Sequence, residues 1–269
     1  MYKQVFLTLI AITFPSLCLA QKETPEEKKE RQETIIKEHV YNCADKINYT
    51  IMMNEYQNCL DTGLKKDSTI AYLWQQKAMP YFKARKYEIG MPLIDKAVKY
   101  DAKRWQPYRA FIKCIFQKSY KDAIKDFQDC INKWGNQYEM DHTYLFYIGI
   151  SHLQLNEFKK AEETLQKTID EQINKQGEAH FIDWFYLGIA HYEQQNWNEA
   201  ITCFDNSLKV YTNFAEAQYY KALVLSKNGN PKDEIKKLIE KAFEDGKQGY
   251  TINEDNAIYE MYPYQLRWK

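Results

Sequence analysis

An all-α solenoid of about six stacked helix–turn–helix units is the fold predicted, on three observations. A pattern of large and small residues returns at intervals of 33 to 39 positions from about residue 33 to residue 249. Nine Gly and seven Pro are too few for an all-β chain built on tight turns. Hydrophobic residues make up 45% and charged residues 28%, so a packed core is within reach. Thirty-seven basic residues balance thirty-seven acidic ones, which argues against a nucleic-acid partner, since a basic excess would be needed.

The first twenty residues read as an address. Met1-Tyr2-Lys3 is a short basic start, Val5 to Phe14 an apolar run, and Cys18-Leu19-Ala20 a small-residue end. That layout predicts a signal peptide over 1–20, cleaved after Ala20. Leu17, where a small residue would be needed, speaks against lipidation of Cys18. Beyond Ala20 no apolar run approaches spanning length, so no transmembrane segment is expected after cleavage. Only five Arg stand among the cations, as in chains from AT-rich genomes. The expectation is an exported bacterial protein, periplasmic or associated with the outer envelope. Residues 21–32 (QKETPEEKKERQ) offer nothing to bury and read as a charged linker.

The repeat is clearest at Trp184, Leu187, Gly188, His191, Ala200, Phe204 and Ser207. Two antiparallel helices approach closely only where a small residue faces the neighbour, and large residues fill the space between. Gly188 corresponds to Val40, Ala78, Phe111, Gly149 and Ala222, separated in chain order by 38, 33, 38, 39 and 34 residues. Phe204 corresponds to Tyr56, Ile94, Phe127, Leu165 and Ile239. Units are therefore placed near 33–66, 71–104, 104–137, 142–175, 181–214 and 215–249. The extra residues of the longer intervals fall between units, at 66–70, 138–141 and 176–180, and are expected to lengthen loops.

With Trp184, Leu187, Gly188, Ala200 and Phe204 at its spacing, the chain resembles the tetratricopeptide-repeat family. The resemblance implies a right-handed superhelix, stable only because its units stack, and a concave surface lined by the first helix of each pair. Peptides or partner helices commonly bind there. Carried onto this chain, the groove positions are Tyr72, Phe82, Tyr108, Ile112, Phe146, Ile150, Phe185, Ile189, Tyr192 and Tyr219. Tyr108, Phe146, Phe185 and Tyr219 share one position in four successive units and are the expected exposed contacts. The Lys and Asn of the family's clamp for acidic tails are largely missing, so that ligand class is not expected. The implied function is a non-catalytic scaffold holding a protein or peptide partner in an aromatic groove, in secretion or outer-membrane complex assembly.

Residues 250–269 form an aromatic-rich end. Asn253 could cap a short helix over 254–262, stopped by Pro263. Two roles stay open: a cap over the last unit, or a segment that folds into the protein's own groove or docks a partner. The alternative function is a structural subunit whose groove is filled by its own tail or by a second copy. Chemistry is not expected. No nucleophile elbow, phosphate loop, dinucleotide fingerprint or zinc-protease helix occurs, and no cofactor or metal is implied. His152 and His191, one repeat apart, read as packing residues. Cys43/Cys59 and Cys114/Cys130 share a spacing of sixteen. In a regular hairpin that spacing gives an axial offset of about 9 Å, against a reach of about 7 Å for a disulfide. All five cysteines of the cleaved chain are therefore expected as free thiols, Cys203 the most accessible.

Overall fold

The computed structural model describes residues 23–269, and the expected signal peptide lies outside them. Twelve α-helices follow one another among the described residues: α1 (Pro25–Ile36), α2 (Met53–Lys66), α3 (Ala71–Lys83), α4 (Tyr87–Tyr100), α5 (Ala102–Phe111) and α6 (Tyr120–Trp134). After a two-stranded hairpin, β1 (Tyr138–Glu139) and β2 (His142–Thr143), come α7 (Tyr144–Gln154), α8 (Phe158–Gln176), α9 (Phe181–Glu193), α10 (Trp197–Val210), α11 (Ala215–Lys227) and α12 (Lys232–Lys247). Each helix packs on the next along the chain, which makes the molecule an α-solenoid. No helix among the described residues is long and apolar enough to cross a membrane.

The repeat is written in the turns as well as the helices. Arg85, Lys118, Asn156 and Gln195 each take a left-handed conformation, φ between 58° and 62°, and Gly229 does so at 79°. These five residues close the first helix of units two to six at intervals of 33, 38, 39 and 34, matching the spacing of the packing positions. At the small position, a Cβ on Gly188 would come within 2.6 Å of the Phe204 ring, so contact between α9 and α10 requires glycine. Units with Ala or Gly there have regular first helices. The two with bulky residues do not: π-helical turns run over Lys37–Tyr41, around Val40, and over Ile112–Phe116, next to Phe111. The wider turn makes room that a small side chain provides elsewhere.

Three expectations fail in this frame. The charged linker ends early, because residues 25–36 are helix α1. Thr24 and Glu27 form a reciprocal capping box with Pro25 in the first turn. Arg31 and Gln32 then reach Asp67 at 3.0 and 2.8 Å and hold α1 to the end of α2. Next, Cys43 and Cys59 are joined in a disulfide, with Cα atoms 5.8 Å apart. An axial offset of that size holds only in a regular hairpin, whereas a π turn, a 3-10 turn over Ala44–Lys46 and a loop separate α1 from α2. Cys114, Cys130 and Cys203 are free, but Cys203 is buried, not accessible. Lastly, the expected helix over 254–262 shrinks to a 3-10 turn at Asp255–Ile258, because the tail is stretched along other helices.

Apolar packing falls into two clusters. A large one runs from Ala78 to Tyr262 and includes the tail, and a smaller one gathers Ile35, Val40, Tyr56, Leu60 and Leu73 around the disulfide.

Candidate functional site

The tail enters the groove from the last unit. The amide of Ala215, at the start of α11, donates to the Tyr250 carbonyl at 2.8 Å, and Ile252 is buried. Glu254 then meets His142 Nε2 at 3.1 Å. At its far tip the tail reaches the hairpin turns of units two and three. Arg85 donates to the Tyr259 carbonyl at 2.8 Å, and Glu260 pairs with Arg85 at 2.8 Å and Lys118 at 3.5 Å while accepting from the Tyr87 hydroxyl. Two turn residues in the left-handed conformation therefore present the cations that hold the tip.

On the return, Tyr186 donates to the Pro263 carbonyl at 2.7 Å and Tyr264 donates to Glu193 at 2.8 Å. Tyr264 sits at φ 59°, unusual for an aromatic residue, and its bond to Glu193 helps hold it there. Trp268 ends the path against Gly246 of α12, where any Cβ would lie inside the indole. The tail both caps the last unit and fills the groove, so the two roles left open by the sequence coexist.

The expected groove residues divide on this evidence. Phe82, Ile112, Phe146, Ile150, Phe185 and Ile189 are all buried at 1% exposure or less, which corrects their assignment as a binding surface. Phe146 stacks on His142 with ring centres 4.0 Å apart and meets Tyr186 at 5.5 Å. Phe185 is enclosed by Phe204 of α10 and by Phe214 and Tyr220 beside or on α11. These two rings point between successive hairpins. Their neighbours one residue on, Tyr147 and Tyr186, carry hydroxyls that find backbone carbonyls instead: Tyr186 donates to Pro263 of the tail, and Tyr147 donates to Glu139 of β1 at 3.0 Å. Burial drives both phenols well above the ordinary tyrosine range. Tyr72, Tyr108, Tyr192 and Tyr219 are half-buried. Tyr219 touches Trp268 at 6.1 Å, whereas Tyr72 and Tyr108 pack on Trp105.

Glu216 anchors the end of the tail. It is fully buried in the first turn of α11, and one oxygen accepts from Thr251, from Trp268 at 3.3 Å and from the Leu266 amide at 3.4 Å. Its other oxygen has no partner. Burial raises its pKa above the usual carboxylate value, and the bonds from Thr251 and Trp268 only partly oppose this. A carboxyl with a raised folded-state pKa stabilises most below its unfolded value and loses that contribution as pH rises through the folded one. Docking of 262–268 is thus expected to loosen as pH rises from about 4.5, near the unfolded carboxylate value. Glu216→Gln should flatten that dependence. Hydrogen exchange of the tail amides at several pH values, corrected for intrinsic rates, checks this, and an unchanged profile in the variant would refute it.

A second polar group stands between units four and five beside the tail, outside the positions the repeat pattern singles out. His142 lies on β2, His180 just before α9, and Asp183 in the first turn of α9. One donor atom from each lies within 4.8 Å of the others. The histidine rings are edge to face with centres 5.6 Å apart. Partial desolvation of its ring, then the neighbouring His142, lowers His180 to about 4, and burial raises Asp183 to about 6. Burial would also raise Glu254, but the bond and charge of His142 pull it below its ordinary value. His142 and His180 are 38 residues apart, one repeat length, and that spacing was the available signal. His180 lies in the lengthened segment 176–180 and His142 directly follows the segment 138–141, so the irregular part of the repeat positions this cluster.

A tetratricopeptide-repeat family model matches residues 182–214, the fifth unit. No curated protein matches the chain. Among solved structures, the chain is similar to YrrB, described as a TPR protein with an unusual peptide-binding site, with a TM-score of 0.50 and 16% identity over 69% of this chain and 91% of that one. It is similar to MamA from Desulfovibrio magneticus RS-1, with a TM-score of 0.56 and 10% identity over 66% of this chain and 96% of that one. It is also similar to Pseudomonas aeruginosa PilF, with a TM-score of 0.56 and 13% identity over 83% of this chain and 93% of that one.

Proposed function

We propose that this chain, whose fifth unit matches a tetratricopeptide-repeat family model, serves as a non-catalytic protein-binding scaffold whose concave groove carries its own C-terminal tail as a built-in peptide. One observation carries the reading. Residues 250–268 make hydrogen bonds or ion pairs with units two through six, as a peptide ligand would. A partner segment then binds by taking the place of the tail. Tyr-rich walls with hydrogen-bonding tips suit an extended aromatic segment of the tail's own kind. We place the scaffold in the bacterial envelope. The signal-like residues 1–20 support export, and the Cys43–Cys59 disulfide supports an oxidising compartment.

Trp268 locked over Gly246 favours a second reading, in which the tail is a permanent structural part. Truncation separates the two. A chain ending at residue 249 should remain helical by circular dichroism, bind more hydrophobic dye, and take up a labelled 250–269 peptide at least tenfold more tightly than the full chain does. A folded truncated chain that takes no peptide refutes the proposal. Loss of helicity on truncation supports the structural reading.

A further inference from the structure

We propose that His142, His180, Asp183 and Glu254 form a Zn2+ site between units four and five, with the tail supplying the fourth ligand. Three elements distant in sequence converge there: the hairpin strand β2, the start of α9 and the tail. The donor atoms of His142, His180 and Asp183 lie within 4.8 Å of one another, and Glu254 Oε1 is 3.1 Å from His142 Nε2. Ligands at about 2.1 Å around one tetrahedral zinc stand roughly 3.4 Å apart. Glu254 stands outside the group of three, 3.1 Å from His142, so the tail closes on the ion as the fourth ligand when it binds. His180 is exposed, so rotation of its ring closes the remaining gap and leaves a route for the ion to enter.

Asp183 supplies the independent sign of a ligand. Its side chain is fully buried, yet Oδ1 has no hydrogen-bond partner. A buried carboxylate oxygen without a donor is unfavourable unless a cation meets it. The His142–Glu254 contact would stand as an ordinary ion pair, but it leaves Asp183 Oδ1 unexplained. Oδ2 is held by Gln172 Nε2 at 2.8 Å, and Gln172 Oε1 accepts from the His180 amide at 2.8 Å. One glutamine on α8 thus aims the carboxylate and fixes the backbone of the neighbouring histidine, as outer-shell partners of metal ligands do.

The donor set selects the ion. Two imidazoles with two carboxylates suit Zn2+, whereas Ca2+ and Mg2+ take oxygen ligands in larger number. Four protein ligands leave no open position, which marks a structural site. Bound zinc would tie the outgoing tail to units four and five. The inference is separable from displacement of the tail by a partner, because the test uses the full chain alone with its tail in place.

The test is calorimetric titration of ZnCl2 into the full chain after stripping with EDTA. One equivalent should bind, His180→Gln should weaken binding at least tenfold, and His191→Gln should leave it unchanged. His180 is exposed, so its variant keeps the fold, which circular dichroism verifies. Glu254→Gln should also weaken binding at least tenfold. Absence of binding by the stripped wild type, or equal affinity in His180→Gln, overturns the site. Equal affinity in Glu254→Gln overturns the role of the tail.

Discussion

Replacing Phe185 by alanine is expected to destabilise the protein by about 3–5 kcal/mol, in the range for a large buried aromatic. Tyr219→Ala, at the corresponding position one unit on, should cost only about 1 kcal/mol. The difference follows from surroundings. Phe185 has no exposed surface and lies among Phe204, Phe214 and Tyr220, so its removal leaves a cavity bounded by three rigid rings. Tyr219 is half-buried against Phe243 and Trp268, and solvent can reach the space it leaves. Thermal unfolding of both variants checks the ratio. Similar losses would mean that Phe185 faces the groove after all.

That contrast also marks how far the sequence could be read. Packing positions such as Gly188 and Phe204 announce themselves because a close helix approach demands a small residue opposite a large one. Groove positions have no such constraint on this chain. Phe146-Tyr147 and Phe185-Tyr186 are adjacent aromatic pairs, and one residue along a helix turns the side chain by about 100°. Hydropathy cannot say which of the pair faces the groove, since both are bulky and apolar. The hydroxyl could have: the phenol at 186 reaches the Pro263 carbonyl of the tail and the phenol at 147 the Glu139 carbonyl of β1, while the phenylalanines close the core. Helix α1 was legible too, since Thr24-Pro25-Glu26-Glu27 has the spacing of a capping box, but the charge run masked it. The path of the tail was not. It depends on contacts between residues more than 100 positions apart, such as Glu260 with Arg85 and Glu254 with His142, which no local pattern encodes.

Removing the disulfide should loosen one end of the solenoid and leave the rest intact. Cys43 and Cys59 enclose a loop of about 15 residues, for which chain entropy predicts roughly 3 kcal/mol. In a repeat array each unit leans only on its neighbours, so a local loss need not spread. Here the first unit has a core of its own, around Val40, Tyr56 and Leu60, separate from the large cluster that begins at Ala78. It also lacks the left-handed turn that closes the first helix of units two to six, so the crosslink joins segments that a tight turn joins elsewhere. Hydrogen exchange on the double variant Cys43→Ser/Cys59→Ser should lose protection across 25–66 and keep it from α4 onward. Uniform loss along the chain would contradict this, as would no loss at all. The tip of the tail gives the same experiment a second readout. Lys83 lies between the rings of Tyr49 and Tyr259, at 5.7 and 4.9 Å, so the loop enclosed by the disulfide forms one wall of the tip's seat. Loosening that loop should therefore raise exchange at 257–260, while the Trp268 end, held by Glu216 and Gly246, stays protected.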